Sequence, residues 1–524
     1  MMVRGEIRSG VYFDSVTLLA ATRDLNAVPG VLDAAAVMGT KENKSILKSA
    51  GLWLNQFDAA GDADLVLAVR AKDYAAASAA LGAAAERLTE TRGRSIAGED
   101  YRPASVAGAI EALPGANVAI ISVAGRYAAD LAMQALQRGL HVMLFSDNVP
   151  LDRETELKQF ARAKGLLMMG PDCGTAILND VPLGFANAVA RGDIGIVAAA
   201  GTGLQELAAI VSNNGAGISQ AIGTGGRDVK REVGGIMFLE ALAALRDDPA
   251  TRVIVLVSKT PHETVLDRIG QAVGGIGKPV IAAFLGADRM TATAHGMTPA
   301  ATLEEAALMA AALSQGRGVE EVGTALAARK REIEQEAVRC AALAAPCQKF
   351  IRGLFSGGTL CAEAQTIFHE LAIAGVHSNV PLLSCAALDD AWQSRGHALV
   401  DLGDDAFTVG RPHPMIDFTL RNRRIVEEAK AAETALILLD VVLGYGANLN
   451  PAGELAPAVA EASRLAAASG RRLILACSVT GTRQDPQDRQ RVEAALVASG
   501  IRVFPSNAAA SRFAAHVARA LGGR

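Results

Sequence analysis

The sequence predicts an α/β protein built from parallel sheets, with a small α+β module at its N-terminal end. Three observations support this prediction. Short apolar runs without polar alternation, such as residues 117–123 and 253–257, are typical of strands buried on both faces. Helix-compatible segments separate these runs, as in a parallel sheet covered by helices. The order of strand, glycine-rich turn and helix then begins again near residues 192 and 350.

Each domain follows from the order of its predicted elements. Residues 1–95 give strands at 9–12, 31–38 and 65–69, each followed by a helix, which predicts a ferredoxin-like or regulatory-type module. A polar linker at 89–103 is expected next. Residues 110–190 predict a Rossmann-like unit, and residues 192–315 and 349–524 each predict a flavodoxin-like unit. A charged helix within residues 316–348 is expected to link the last two units.

Composition argues against several classes of protein. Half of the 524 residues are hydrophobic, which is enough for several buried cores. Aromatic residues make up only 4% and the net charge is −4, so we expect no nucleic-acid partner. No apolar run reaches the roughly 18 residues of a membrane span. The six cysteines lack the short spacing of a zinc site, which favours reduced thiols, no metal centre and a cytoplasmic location.

Two glycine-rich turns are the main functional motifs. Gly201-Thr202-Gly203 and Gly357-Gly358-Thr359 each lie between an apolar strand and a helix. Such a turn presents unpaired backbone N–H groups and the positive end of a helix dipole, and glycine lets an anion approach closely. Ordinary structural turns also use Gly and Thr. Because the last two units repeat one order of features, we expect the two turns to form phosphate or carboxylate sites at a shared edge.

Residues near the first turn are candidates for chemistry. In the loop Gly225-Gly226-Arg227-Asp228, the glycines offer backbone N–H groups, Arg227 is a candidate clamp for an oxyanion and Asp228 its candidate partner. Lys259 follows a buried strand at the edge where ligands bind, so it could neutralise a phosphate or polarise a carbonyl. A solvated lysine in a turn is the alternative interpretation.

The last unit offers a second group of candidates. Arg411, His413 and Asp417 lie in a proline-bounded loop that opens a helix. His413 stands between two prolines, so it is either a positioned acid or base or a residue of a helix entry turn. Gly444 and Gly446 follow the strand at residues 436–440 and would place backbone N–H groups opposite the first glycine turn.

These motifs in combination resemble those of succinyl-CoA synthetase. The run Met169-Gly170-Pro171-Asp172-Cys173-Gly174, followed by residues 195–203 and 223–228, is similar to the α subunit, and the block from Gly353 resembles the C-terminal ligase domain of the β subunit. The whole chain resembles the FdrA branch of acyl-CoA synthetase-like proteins, for which residues 411–417 and 444–447 look like signatures. The resemblance implies a Rossmann-like CoA-binding-type domain followed by two succinyl-CoA-ligase-type domains.

The resemblance also implies particular site residues. The synthetase family carries a phosphorylated histidine, for which His295 is the nearest candidate here. The glutamate that orients that histidine is replaced by Ser258-Lys259-Thr260, so Lys259 is the favoured catalytic group. The glycine-rich turn that holds CoA in the family is replaced by Ala124-Gly125-Arg126, which weighs against tight CoA binding.

The function implied by the FdrA resemblance is transfer of an acyl or carbamoyl group to phosphate. Its specific form is the oxamate carbamoyltransferase of allantoin degradation, which interconverts oxalurate plus phosphate with oxamate plus carbamoyl phosphate and needs additional subunits. The substrate would be phosphate or carbamoyl phosphate, and a homo-oligomer is compatible with this reading. No ATP-grasp region is visible. Two alternatives stay open: an NDP-forming acyl-CoA ligase, and a non-catalytic scaffold or small-molecule sensor.

Overall fold

Four sheets organise the part of the chain that the structure describes. The computed structural model describes residues 2–11, 13, 15–62, 64–97, 103, 105–408 and 411–523. One small antiparallel sheet is followed by a three-stranded parallel sheet and two seven-stranded sheets. The predicted α/β class with a small N-terminal module is therefore confirmed. No helix in these residues is long and apolar enough to cross a bilayer.

The N-terminal module packs helices on both faces of a sheet with the strand order β1-β3-β2. Leu25 and Leu67 belong to the core on one face, and Phe57 belongs to the core on the other. The elements are β1 (Met2–Arg8), α1 (Ser15–Ala27), β2 (Val31–Met38), α2 (Lys41–Ser49), a 3₁₀ turn (Asn55–Ala59), β3 (Leu65–Ala71) and α3 (Tyr74–Ala97).

Two expectations for this module were wrong. The first strand was expected at residues 9–12, but residues 2–8 pair with β3 instead. Arg4, Glu6 and Arg8 lie on one face of this strand and alternate in sequence with the residues of the other face. Residues 2–8 therefore lack the continuous apolar run by which the other strands were predicted. Helix α3 also continues to Ala97, through much of the segment expected to be a polar linker. Residues 98–102 of that linker lie outside the described residues.

The next sheet is parallel, with the order β4-β5-β6, and it forms the Rossmann-like unit. Alanines on one face of α5 and Leu157 of α6 are fully buried against it. The elements are α4 (Val106–Ala112), β4 (Val118–Ile121), α5 (Gly125–Gln137), β5 (His141–Leu144), α6 (Leu151–Ala163) and β6 (Met168–Met169).

The first ligase-type sheet has the order β13-β12-β11-β9-β10-β7-β8, and its five parallel strands follow the flavodoxin-like order 2-1-3-4-5. The hairpin β7–β8 adds two antiparallel strands at one edge. The elements are β7 (Thr175–Leu178), β8 (Val181–Gly184), β9 (Arg191–Ala198), α7 (Gly201–Asn213), β10 (Ile218–Gly223), α8 (Ile236–Asp247), β11 (Val253–Lys259), α9 (Glu263–Val273), β12 (Val280–Leu285), α10 (Arg289–Ala294), β13 (Thr298–Pro299) and α11 (Leu303–Ser314).

A long helix, α12 (Glu320–Ala341), leads to the second ligase-type sheet, which is entirely parallel with the order β16-β15-β17-β14-β18-β19-β20. The elements are β14 (Phe350–Phe355), α13 (Gly358–Glu370), β15 (Val376–Ser378), β16 (Ala386–Ala387), β17 (His397–Asp401), α14 (Asp405–Thr408), α15 (Thr419–Lys430), β18 (Thr434–Val442), α16 (Pro451–Ala468), β19 (Ile474–Thr480), α17 (Arg489–Ala498), β20 (Arg502–Phe504) and α18 (Asn507–Gly522).

The two ligase-type units share one hydrophobic core. Leu204 of α7 and Val257 of β11 belong to the same cluster of buried residues as Leu360 of α13 and Phe513 of α18. Helices α7 and α13, which follow the two glycine turns, therefore meet inside the molecule. This packing places both turns at the junction between the units.

Two buried glutamates cross this junction. Glu206 of α7 accepts a 2.9 Å hydrogen bond from the Asn507 N–H at the start of α18. Glu363 of α13 accepts 2.7 Å hydrogen bonds from the Leu303 N–H at the start of α11 and from the Asn507 side chain. Each glutamate thus caps the last helix of the opposite unit. Burial, with a smaller contribution from the charge of Glu206, raises the pKa of Glu363 to about 8.

Candidate functional site

The two glycine turns are in direct contact. A Cβ on Gly203 would lie 2.8 Å from Cγ2 of Thr359, and a Cβ on Gly357 would lie 2.8 Å from Oγ1 of Thr202. Only glycine fits at these two positions without displacing the opposite turn. The structure therefore brings together the two turns that the sequence placed at a shared edge.

Both helices at this contact begin without a side-chain cap. The first bond within α7 runs from the Leu204 N–H to Ala200 O, and the first within α13 runs from the Cys361 N–H to Gly357 O. The three residues before Leu204 and the three before Cys361 therefore have N–H groups without an acceptor in their own helix. Two positive helix ends therefore point at one junction, and such an arrangement favours an anion.

A carboxylate of the chain holds part of the second turn. Asp440, in β18, accepts hydrogen bonds from the Ser356 N–H at 2.7 Å and the Gly357 N–H at 2.8 Å. Arg421 of α15 donates to the Asp440 carbonyl oxygen at 2.6 Å and lies 3.1 Å from Oδ1 of its carboxylate. Gly357 was predicted to bind an external anion, but its N–H already has an internal acceptor. The sequence analysis missed Asp440 and Arg421.

Asp401 is a second carboxylate that the sequence analysis missed. It ends β17, and its Oδ2 lies 2.5 Å from the position that a Cβ on Gly358 would take, so it lies against the first residue of α13. Its Oδ1 accepts a 2.9 Å hydrogen bond from the Gly403 N–H. Burial raises the pKa of Asp401 to about 7, against the opposing effects of the Gly403 hydrogen bond and the Lys259 charge.

His413 lies next to Asp401. Nε2 of His413, Oδ1 of Asp401 and the carbonyl oxygen of Ser356 all lie within 3.2 Å of the position that a Cβ on Gly403 would take. Nδ1 of His413 accepts a hydrogen bond from the Met415 N–H at 3.2 Å. Burial, with a smaller effect of the Arg421 charge, lowers the pKa of His413 to about 4. The histidine is therefore neutral near pH 7.

Lys259 is the exposed last residue of β11. Its charge favours the ionised form of Asp401, so the two side chains act on the same region. Ser258, directly before it, is fully buried, and its hydroxyl has no hydrogen-bond partner among the described residues. The region therefore combines the Lys259 side chain, a carboxyl whose pKa is raised towards neutrality and an imidazole that is neutral near pH 7.

His295 lies elsewhere. Its Nδ1 is 2.7 Å from the Thr291 carbonyl oxygen and its Nε2 is 3.1 Å from the Asp267 carboxylate. The ring packs against Gly270 in the second half of α9. The Thr291 hydrogen bond and Asp267 raise the pKa of His295. The histidine therefore does have a carboxylate partner, contrary to expectation, but its contacts are on α9 and α10 and not at the glycine turns.

Arg227 and Asp228 do not pair with each other. The Arg227 guanidinium contacts Glu154 of α6 at 2.8 Å and donates to Val149 O at 2.8 Å. Asp228 is fully buried and pairs with Lys158 of α6 at 2.9 Å. Gly225 adopts a positive φ of 84°, and a Cβ on it would lie 2.3 Å from Pro171 O. This loop, which also contains the predicted Gly226, therefore fastens the Rossmann-like unit to the first ligase-type unit.

The remaining candidates divide between two places. Gly444 and Gly446 pack against Phe185, and the Gly444 N–H donates to Gln487 at 3.2 Å, so these glycines dock one unit on the other. Arg411 and Asp417 line a cleft that faces the N-terminal module. His413, from the same loop, lies beside Gly403 and Asp401.

Comparisons with known proteins match this architecture. Residues 354–517 match the CoA-ligase family, and residues 1–103 match the AllF, heavy metal-associated domain. The chain is 41% identical over 508 residues to the uncharacterized protein YahF of Escherichia coli K12, and the alignment covers 97% of both proteins. The chain belongs to the FdrA family. The resemblance stated from the sequence is thereby confirmed.

Other relatives of this FdrA-family chain are CoA ligases. It is 28% identical over 174 residues to the α subunit of the ADP-forming succinate–CoA ligase of Methanothermobacter thermautotrophicus, which covers 33% of this chain and 58% of the subunit. The match thus spans little more than half of that subunit. The chain is also similar to a solved structure, the dinucleotide forming acetyl-coenzyme A synthetase 1 of Ca. Korarchaeum cryptofilum in complex with phosphate and ADP. The sequence identity is 15% and the TM-score is 0.34, and the match covers 80% of this chain and 85% of the synthetase chain.

The N-terminal module does not fit a heavy metal. Residues 1–103 contain neither cysteine nor histidine, because the first histidine is His141 and the first cysteine is Cys173. Thiolate and imidazole are the ligands that such metals prefer. Within the described ranges, no group of three or more histidine, cysteine or acidic side chains is arranged to hold a metal ion. The module therefore matches this family model without a thiol or imidazole side chain in the matched residues.

The CoA-binding-type unit does not fit a tightly held CoA diphosphate. A Cβ on Gly125, at the start of α5, would lie 2.2 Å from the Asp147 carbonyl oxygen, so the loop after β5 packs directly against this turn. Close packing around the Asp172 carboxyl, followed by the charges of Asp147 and Asp405, raises the pKa of Asp172 to about 6. This concentration of negative charge opposes a diphosphate. The reaction proposed below does not use CoA.

Proposed function

We propose that this chain transfers a carbamoyl group to phosphate, in the form of an oxamate carbamoyltransferase. Oxalurate and phosphate would give oxamate and carbamoyl phosphate. The observation that carries the proposal is the contact between the uncapped ends of α7 and α13, with Lys259, Asp401 and His413 beside it. This arrangement suits phosphate and an oxyanion and requires no nucleotide site.

Phosphate binds against the two adjoining helix ends in this proposal. The N–H groups of Gly201, Thr202 and Gly203 face it from α7, and those of Gly358 and Thr359 face it from α13. Lys259 supplies a cation at the edge of the site. Because Asp440 already holds the Gly357 N–H, the phosphate lies against the first turn of α13 and not in the loop before it.

The reaction requires one proton transfer and no redox step. A phosphate oxygen attacks the carbamoyl carbon of oxalurate, a C–O bond forms and the carbonyl becomes an oxyanion. The C–N bond to the oxamate nitrogen then breaks. The hydrogen of monohydrogen phosphate ends on that nitrogen, so atoms and charges balance. The helix ends and Lys259 stabilise the oxyanion, which is the part of the reaction where fixed dipoles contribute most.

Asp401 moves the proton in this scheme. A pKa of about 7 lets it accept the phosphate proton and return it to the leaving nitrogen near neutral pH. Neutral His413 lies beside Asp401 and positions it. Removal of an acid or base of this kind lowers turnover by about 100-fold or more.

The relatives favour a second candidate function, an NDP-forming acyl-CoA ligase. The match to the CoA-ligase family and to a succinate–CoA ligase α subunit supports it. A ligase must bind nucleotide and CoA, and the packing of the loop after β5 against the turn at Gly125 opposes the second requirement. Because that relative is one subunit of an enzyme, we propose that this chain also works with additional subunits.

The experiment separates these functions. The tagged chain is purified with its native partners and assayed for oxalurate phosphorolysis, and the isolated chain is assayed with ATP, magnesium, CoA and a panel of small carboxylates. We expect phosphorolysis only with partners and no ADP formation by the isolated chain. ADP formation that depends on both CoA and carboxylate would establish the ligase. Inactivity in both assays, without phosphate binding, would indicate a scaffold or sensor.

A further inference from the structure

A cleft separates the N-terminal module from the second ligase-type unit. Its walls are the edge strand β2 with α1 and α2 on one side, and the loop at residues 411–417 with the start of α15 on the other. This cleft lies outside the junction of α7 and α13, and the proposed reaction does not use it.

Arg411 and Arg423 form part of the rim of the cleft, and Asp33 and Asp417 also line it. Burial lowers the pKa of Arg411 against the opposing effect of the Asp33 charge, and no carboxylate in the described ranges lies within ion-pair distance of Arg411. Its guanidinium lies 5.3 Å from the centre of the Trp392 ring. Arg423 donates to Leu32 O at 3.3 Å, and Asp33 is already paired with Arg70 at 3.1 Å. The rim therefore presents a half-buried arginine without an ion-pair partner beside a second arginine.

The walls of the cleft are largely apolar. Ala34 and Ala35 of β2 line it from the module, and Pro412 and Leu420 line it from the ligase-type unit. Apolar walls beside two arginines, one of which has no ion-pair partner among the described residues, fit a short aliphatic body with anionic ends. Arginine at such a site prefers the planar, bidentate geometry of a carboxylate.

We propose that this cleft binds a small aliphatic dicarboxylate, with one carboxylate on Arg411 and the other near Arg423. Binding there involves only residues of the cleft and does not depend on the proposed function.

The cleft is connected to the junction of α7 and α13 through two short elements. Arg411 is two residues from His413, which lies beside Asp401. Helix α15 carries Arg423 into the cleft and Arg421 onto Asp440, which holds the second glycine turn. A ligand that moves either element therefore changes the position of groups in the reaction site, and this regulatory part of the inference rests on the proposed function.

The chain carries its own reporter for the test. It contains two tryptophans, Trp53 and Trp392, so Trp53→Phe leaves the fluorescence of the ring beside Arg411. This full-length variant is titrated with malonate and succinate in phosphate-free buffer, with isothermal titration calorimetry in parallel. Malonamide is the uncharged control. We expect a saturable change with the dicarboxylates and none with malonamide.

Variants locate the bound ligand. Arg411→Gln should weaken dicarboxylate binding by about tenfold or more, because a bidentate charge-assisted contact is lost. Arg464→Gln removes an exposed arginine on α16 and should leave binding unchanged. The absence of both heat and fluorescence change, or equal binding by Arg411→Gln, overturns the proposal. Binding that survives Arg411→Gln but is lost in Gly203→Val belongs to the helix ends and also overturns it.

Discussion

Replacing Asp401 with asparagine removes a buried acid from the helix ends and keeps its shape. The Asn side chain can still accept the hydrogen bond from the Gly403 N–H, and the backbone of residue 401 stays fixed by Asn379. Burial raises the pKa of Asp401 from 3.8 to about 7. At about 1.36 kcal/mol per pKa unit, full ionisation of this group costs the folded protein about 4 kcal/mol.

The sign of the effect follows from proton binding. The folded protein holds the Asp401 proton more tightly than the unfolded chain does. The resulting stabilisation of the folded protein is fully present below about pH 4. It is lost as the pH rises towards about 7. Between pH 5 and pH 8.5 the asparagine variant should therefore gain about 2.5 kcal/mol of stability relative to the original protein.

Urea unfolding at both pH values measures this gain. Comparing variant and original protein at each pH cancels the titration of all other groups. Asp389→Asn is the control, because its side chain is 94% exposed, and it should show no such gain. With partner subunits present, Asp401→Asn should also lower kcat by about 100-fold or more. If the variant and the original protein differ in free energy of unfolding by the same amount at pH 5 and pH 8.5, then Asp401 is not a buried acid that ionises near neutral pH.

Three further changes test the junction. Gly203→Val should crowd the opposite turn and abolish phosphate binding measured by calorimetry, while the fold is retained. Gly323→Val is the control and should bind phosphate normally, because a Cβ on Gly323 would meet nothing within 4 Å. Lys259→Ala should lower phosphorolysis by about 100-fold and His295→Ala should change it little; acid-labile phosphate on His295 in an active preparation would reverse this order. Glu363→Gln should gain stability relative to the original protein as the pH rises from 5 to 9 in urea unfolding, because burial raises the pKa of Glu363 to about 8; a constant difference would contradict it.

The parallel sheets could be predicted because their strands are short apolar runs between helices. Residues 253–257 and 436–439, for example, lie in β11 and β18. The first strand could not, because residues 2–8 carry charges on one face and pair only with the distant β3. Pairing between distant segments leaves no local signal that distinguishes such a strand from a loop.

The glycine turns could be predicted as motifs, but not their internal partners. Asp401 and Asp440 stand at or near the ends of apolar strands, and an acid in that position is the only signal in the sequence. Whether such an acid faces a ligand or holds a neighbouring turn depends on strands from other parts of the chain. The sequence likewise leaves His413 between two roles, because its position beside Gly403 depends on parts of the chain that are distant in sequence.

Glu206 and Glu363 each supply a hydrogen-bond acceptor to the last helix of the other ligase-type unit, so each unit depends on the other for the start of that helix. Without residues 349–524, α11 would lose the acceptor that Glu363 offers to Leu303. Without residues 192–315, α18 would lose the acceptor that Glu206 offers to Asn507. A polypeptide carrying either half alone would need its counterpart before its last helix was finished. Joining the halves on one chain through α12 supplies them in equal number and at high local concentration.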